Sequence, residues 1–227
     1  MLRRMVRIAA VLTLVVLIWW GASAAQAAPP VVVYQQPPRP SGGLLPSSLR
    51  DPDGSNTDQW VWDGFRFGWD QPITEVRWRG GYNPAMLGSG GPVFDFTVEI
   101  HASTPNGAMP DLAVPPLARY EVGGNAMETP AETLGGALTY DYAFVLPAPF
   151  LAAAGTKYWV QIEAYQPGLP DWGISAGLGG DGRYFRRIPL QGPTYQIVNG
   201  DAAFSLLAPE LQGHRSYLPM ISGGGGG

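Results

Sequence analysis

The chain has no cysteine. It therefore has no disulfide, no thiolate metal site and no lipid attached through cysteine, and packing alone must stabilise it. Histidine is nearly absent as well: His101 and His214 are the two. With neither a His-Glu-x-x-His pair nor cysteine, the usual ligand patterns of a catalytic zinc centre are missing, and zinc catalysis is not expected. For a serine nucleophile, His101 is the one candidate base outside the C-terminal tail, and the expectation is a solvated histidine on a polar strand face. Lys157 is the single lysine among 14 basic residues.

Long apolar runs are missing except near the start. Ile8 to Trp20 is an apolar stretch of 13 residues behind Arg3, Arg4 and Arg7, and Ala25-Gln26-Ala27 has the small-x-small spacing of a signal-peptidase site. The expectation is a signal peptide over 1–27, membrane contact only in transit, and secretion. Without those three arginines the 14 basic residues fall to 11 against 18 acidic, a formal charge of −7. Phosphate binding requires a basic surface, so nucleic acid is not an expected partner.

What the chain does have is 31 glycines, 23 prolines and 11% aromatic residues. Glycine and proline break helices and supply turns, and such an aromatic content is foreign to disordered chains. Strict alternation follows. Phe94, Phe96, Val98 and Ile100 interleave with Asp95, Thr97, Glu99 and His101, and Tyr158, Val160, Ile162 and Ala164 interleave with Trp159, Gln161 and Glu163. A period of two predicts half-buried strands.

Further strands are expected over 73–79, 119–122, 140–146, 184–188, 195–198 and 203–207, with one helical turn at 148–154 and loops at 80–92, 104–116, 123–136 and 166–182. Trp60, Trp62, Phe65 and Phe67 change phase at Asp63-Gly64, which reads as a β-bulge. The fold class is all-β, an antiparallel two-sheet sandwich of eight or nine strands with long loops. The expected layout is a proline-rich linker over 28–50, the sandwich over 51–207 and a flexible tail over 208–227.

Four segments carry a resemblance: Trp62-Asp63-Gly64 before Phe67, Glu75-Val-Arg-Trp-Arg-Gly-Gly-Tyr82, Phe94-Asp-Phe-Thr-Val-Glu-Ile-His101 and Asp201-Ala-Ala-Phe-Ser-Leu206. In that order they resemble the jelly-roll-like β-sandwich domains of uncharacterised bacterial exported proteins. Tyr217-Leu-Pro-Met-Ile221 resembles the Tyr-Leu-Pro-hydrophobic segment that closes many secreted bacterial proteins. The resemblance implies a fold and a compartment but no catalytic residues.

Three functional readings remain open. The first is a non-enzymatic structural or adhesive role at the cell exterior. The second is a carbohydrate-binding module, in which Trp159, Gln161, Glu163, Trp172 and Tyr184 offer aromatic planes and polar edges to an extracellular polymer or glycan. A calcium ion is compatible with this reading, because Asp51, Asp53, Asn56 and Asp58 crowd oxygens into one loop, although turn-forming residues explain the same run. The third is a glycoside hydrolase using Glu99 and Glu163, whose separation depends on whether their strands are direct neighbours. The expectation is that these two carboxylates do not line one cleft.

Overall fold

The computed structural model describes residues 29–50, 58–85, 93–166, 168–187 and 195–210. The expected signal peptide, Asp51, Asp53, Asn56 and the Tyr-Leu-Pro tail lie outside the described residues. Among the described residues there are fifteen strands and no helix. In chain order they are β1 (Val31–Gln36), β2 (Leu44–Pro46), β3 (Ser48–Arg50), β4 (Trp60–Arg66), β5 (Gln71–Tyr82), β6 (Asp95–Ala102), β7 (Ala118–Glu121) and β8 (Thr129–Leu134). The remainder are β9 (Ala137–Ala152), β10 (Lys157–Gln166), β11 (Trp172–Gly177), β12 (Arg183–Arg187), β13 (Tyr195–Asn199), β14 (Asp201–Ala202) and β15 (Phe204–Ala208).

The strands form a two-sheet β-sandwich. In the eight-stranded sheet β5 is central. One of its edges pairs with β9, and the other is shared by β15 and β11. In the seven-stranded sheet β10 lies between β4 and β6, and the order runs β13-β12-β4-β10-β6-β7. Pairing is antiparallel except for three residues of β3 beside β10.

The inward residues of the two alternating strands meet as expected: Phe96, Val98, Ile100, Tyr158, Val160 and Ile162 are all buried in one core. Phe96 is its hub. Its ring centroid lies 5.2 Å from that of Trp78, 5.1 Å from Tyr142 and 5.0 Å from Trp172, all near edge-to-face, while Trp78 and Tyr142 stack on each other at 5.5 Å. Trp78, Tyr142 and Trp172 belong to one sheet and Phe96 to the other, so the aromatic contacts join the layers. Each such ring contributes roughly 1.5–3 kcal/mol by burial and about 0.5–1.5 kcal/mol more by its geometry.

Several expectations need correction. Residues 28–50, read as a linker, supply β1, β2 and β3, which pair with β15, β11 and β10. Proline did not prevent this, because Pro37, Pro38 and Pro40 fall between strands and Pro46 ends one. The sandwich therefore begins near residue 31 rather than 51. Residues 148–154 form no helical turn; β9 continues through to Ala152.

Phe94 stands before β6 and is exposed rather than inward. No bulge breaks β4, which stays in register with β10 through Asp63 and Gly64 and with β12 as far as Asp63. The apparent change of phase arises because β4 is aromatic on both faces, with Trp62 outside the sandwich and Phe65 inside it.

Phe96→Ala is expected to cost about 3–5 kcal/mol in urea unfolding. A loss below about 1 kcal/mol would show that the aromatic hub does not hold the layers together. Gly80→Ala is expected to destabilise as well, since a Cβ there would overlap the Trp172 indole.

Candidate functional site

Alternation along β4, β6 and β10 places a second set of side chains on the outer face of the seven-stranded sheet. Trp60 and Trp62 come from β4, Glu99 and His101 from β6, Trp159, Gln161 and Glu163 from β10, and Phe185 from β12. The register sets Trp159 opposite His101, and Gln161 opposite both Glu99 and Trp62. Trp62 also lies opposite Phe185.

Trp159 and Gln161 were expected to face solvent. They point away from the main core, but the face they occupy is itself buried. Trp62, Trp159 and Phe185 form a second apolar cluster with Trp60 packed against it, and Trp159 is 0% exposed. The rings pack sideways both along and between strands: Trp62 lies 6.2 Å from Trp60 on its own strand and 5.7 Å from Phe185 on β12. Trp159 Nε1 donates to Ser103 Oγ at 2.7 Å, and Lys157 Nζ sits 4.0 Å above its ring.

The two carboxylates of interest stand on this face. Their strands pair directly, but Glu99 lies opposite Gln161, so Glu163 is its diagonal neighbour. The structure thus brings them onto one surface as diagonal neighbours. Trp60 Nε1 donates to Glu163 Oε1, and Gln161 Nε2 donates to Oε2 at 3.4 Å. Burial pushes the Glu163 carboxyl up to about 7; the Trp60 hydrogen bond opposes that rise and the charge of Glu99 adds to it.

Burial also raises the Glu99 carboxyl, but His101 and Arg119 outweigh it and hold it below its ordinary value. His101 Nε2 lies 2.9 Å from Glu99 Oε2, and Arg119 Nη1 donates to Oε1. Two carboxyl groups with values driven apart can divide the roles of acid and base. Trp62 Nε1 and His101 Nδ1 are buried on the same face without hydrogen-bond partners.

The other candidates are elsewhere. Trp172 begins β11 inside the main core, 0% exposed, and donates from Nε1 to Tyr142 OH at 3.0 Å. Tyr184 is buried on the inner face of β12. The five expected sugar contacts are thus divided: Trp159, Gln161 and Glu163 stand on the outer face of the seven-stranded sheet, and Trp172 and Tyr184, from different sheets, point into the main core. Asp58 is half-buried, and its carbonyl accepts from Arg187 Nη1 at 2.9 Å.

Two features were missed in the sequence. Gly173-Ile-Ser-Ala-Gly177 has the Gly-x-Ser-x-Gly spacing, yet it runs along β11 with Ser175 buried, whereas a nucleophile elbow needs an exposed serine on a strand-to-helix turn. Asp63, Asp181 and Asp201 converge although distant in sequence. The legible signal was Asp63 itself, a charged residue within the apolar run Val61 to Phe65.

The raised value of Glu163 predicts a pH dependence. Between its ordinary value of 4.5 and about 7, the folded protein holds a proton that the unfolded chain has released. Stability from this group is therefore complete below about 4.5 and falls as pH rises to about 7. Glu163→Gln, which keeps an acceptor for Trp60 but cannot ionise, is expected to remove at most about 3 kcal/mol of that decline. Urea unfolding of both proteins from pH 4.5 to 7.5 measures it, and parallel curves would show that Glu163 ionises normally.

Neither a curated protein nor a solved structure matches the chain. A protein family does match, over residues 32–176, from β1 into β11. That span is more than half of the chain and ends before Tyr184, Phe185 and Asp201. By this match the chain belongs to the family described as Domain of unknown function (DUF7901).

Proposed function

We propose that this protein is an exported, non-enzymatic β-sandwich with a structural or adhesive role at the cell exterior. One observation carries the reading: the side chains best suited to gripping a ligand are used to pack the body. Trp159 and Trp172 are fully buried, Gln161 and Tyr184 nearly so, and Glu99 is tied to two neighbours. A sugar platform needs an accessible ring face.

What faces outward is of another kind. Trp69 is 65% exposed and Leu151 74%, at the same end of the eight-stranded sheet, where Pro72 pairs with Leu151 and Ala154 N donates to Asp70 Oδ1 at 2.8 Å. Exposed apolar groups of this sort suit contact with another surface. The leader-like segment 1–27 supports an extracellular setting.

The test has two arms. Expressed with its first 27 residues in a bacterial host, the protein is expected outside the cytoplasm with Ala28 at its new N-terminus. Incubated with insoluble polysaccharides, it is expected to stay in solution. Retention of the wild type, reversed by the soluble oligosaccharide of the same polymer, would replace this reading with that of a carbohydrate-binding module.

Glycoside hydrolysis is a second reading, favoured by the pairing of a carboxyl at about 7 with an ionised neighbour. Under it Glu163 would be the proton donor. Hydrolysis of an aryl glycoside panel, lowered in Glu163→Gln by about 10²–10⁴-fold, would establish that reading, and an inactive wild type would remove it.

A further inference from the structure

Asp63, Asp181 and Asp201 come from β4, from the turn between β11 and β12, and from β14. One oxygen of each lies within 4.8 Å of the others. Asp63 is 1% exposed and Asp201 is buried, while Asp181 faces outward. Backbone N–H groups aim the carboxylates. Gly64 N donates to Asp63 Oδ1 at 2.6 Å and Ala202 N to its Oδ2 at 2.5 Å. Gly180 N and Gly182 N donate to Asp201 at 3.3 and 2.8 Å, and Arg183 N to Asp181 at 3.3 Å.

These bonds fix direction without supplying a full positive charge. Among the described residues one cation pairs with the three: Lys157, 2.5 Å from Asp181 Oδ2. Three carboxylates this close, two of them buried, repel strongly in a medium of low dielectric.

Gln36 supplies the second, independent observation. It ends β1 and is 0% exposed. Its Nε2 donates to Tyr34 OH at 2.8 Å and to Gly64 O at 3.3 Å, but its Oε1 is buried with no partner. A buried acceptor left unpaired costs about 1–3 kcal/mol. A Cβ placed on Gly180 would lie 2.5 Å from Asp201 Oδ1 and 2.5 Å from Gln36 Nε2. The Gln36 amide therefore stands beside the Asp201 carboxylate, across a space that glycine leaves open. It is Nε2 that lies nearest to Asp201; Oε1, on the same buried amide, finds no donor, and a cation among these groups would supply the positive charge that it and the three carboxylates lack. A cleft of about 400 Å³, lined by Tyr34, Gly64, Lys157, Gly180 and Asp181, opens beside the outermost of the three carboxylates.

We propose that Asp63, Asp181, Asp201 and Gln36 Oε1 form a binding site for a hard divalent cation, and that calcium is the ion it fits. All four donors are oxygens, three of them charged. Calcium accepts irregular sets of six to eight oxygens with water completing the shell, whereas magnesium demands a near-ideal octahedron. Gln36 and Asp201 belong to the strands of one sheet and Asp63 to the other, so the ion clasps the layers where a cysteine-free chain has no covalent link. The site is separate from the Asp51–Asp58 loop.

The full exported chain, stripped with EDTA, is titrated with calcium chloride by calorimetry and melted with 5 mM calcium or with EDTA. Binding is expected with Kd on the order of 10⁻⁴–10⁻³ M, with a rise in melting temperature on the order of 3 °C and a smaller rise with magnesium. Asp181→Asn leaves the buried carboxylates in place; it is expected to melt normally in EDTA yet bind calcium at least about tenfold more weakly. Gly180→Ala, which fills the open space, is expected to lose the calcium response as well. Asp51→Asn/Asp53→Asn is expected to keep it. No heat and no shift in the wild type, or a shift lost only in the loop variant, would overturn the assignment.

Discussion

The packing of Phe96 against Trp78, Tyr142 and Trp172 is the contact on which the rest of the molecule depends. It joins the two sheets at their centre, and no disulfide shares the task. Once these rings set the spacing of the layers, β5 must carry glycine at positions 80 and 81, because the Trp172 indole lies over one and the Leu138 carbonyl approaches the other. A glycine pair that reads in sequence as the start of a loop is therefore a continuation of the strand. The same spacing fixes which face of β10 is inner, and so fixes the surface on which Glu163 stands.

The fold class was legible because β6 and β10 alternate without interruption, and a period of two leaves little choice once one face is buried. Other elements were not legible, for physical reasons. Residues 31–36 have ordinary strand propensity, but their proline neighbours masked it; what makes them a strand is the open edge of β15, a partner 170 or so residues away in the chain. Trp172 looked like a loop residue because glycine and proline surround it. Its place is set by Gly80 beneath it and Tyr142 beside it, neither visible in local pattern.

The site was half legible. That Trp159, Gln161 and Glu163 share one face follows from their spacing. That this face is buried does not, because burial depends on what stands on β4 and β12, and strand order is not written in the periodicity. Glu99 and Glu163 became neighbours through a register that places Gln161, not Glu163, opposite Glu99. The contrast between the two carboxyl groups then arises from surroundings rather than type: burial raises Glu163, which has hydrogen bonds only from an indole N–H and an amide, while His101 and a guanidinium hold Glu99 down.

The pairing of β1 with β15 has a mechanical consequence. Val31 lies opposite Ala208 and Gln36 opposite Phe204, so the chain enters and leaves the sandwich at the same end of two adjacent strands. Tension applied through the two termini would load that ladder one rung at a time, as a zipper is drawn, rather than shearing all its rungs at once. Under such a load the body would open first along this seam, with the aromatic centre still closed behind it.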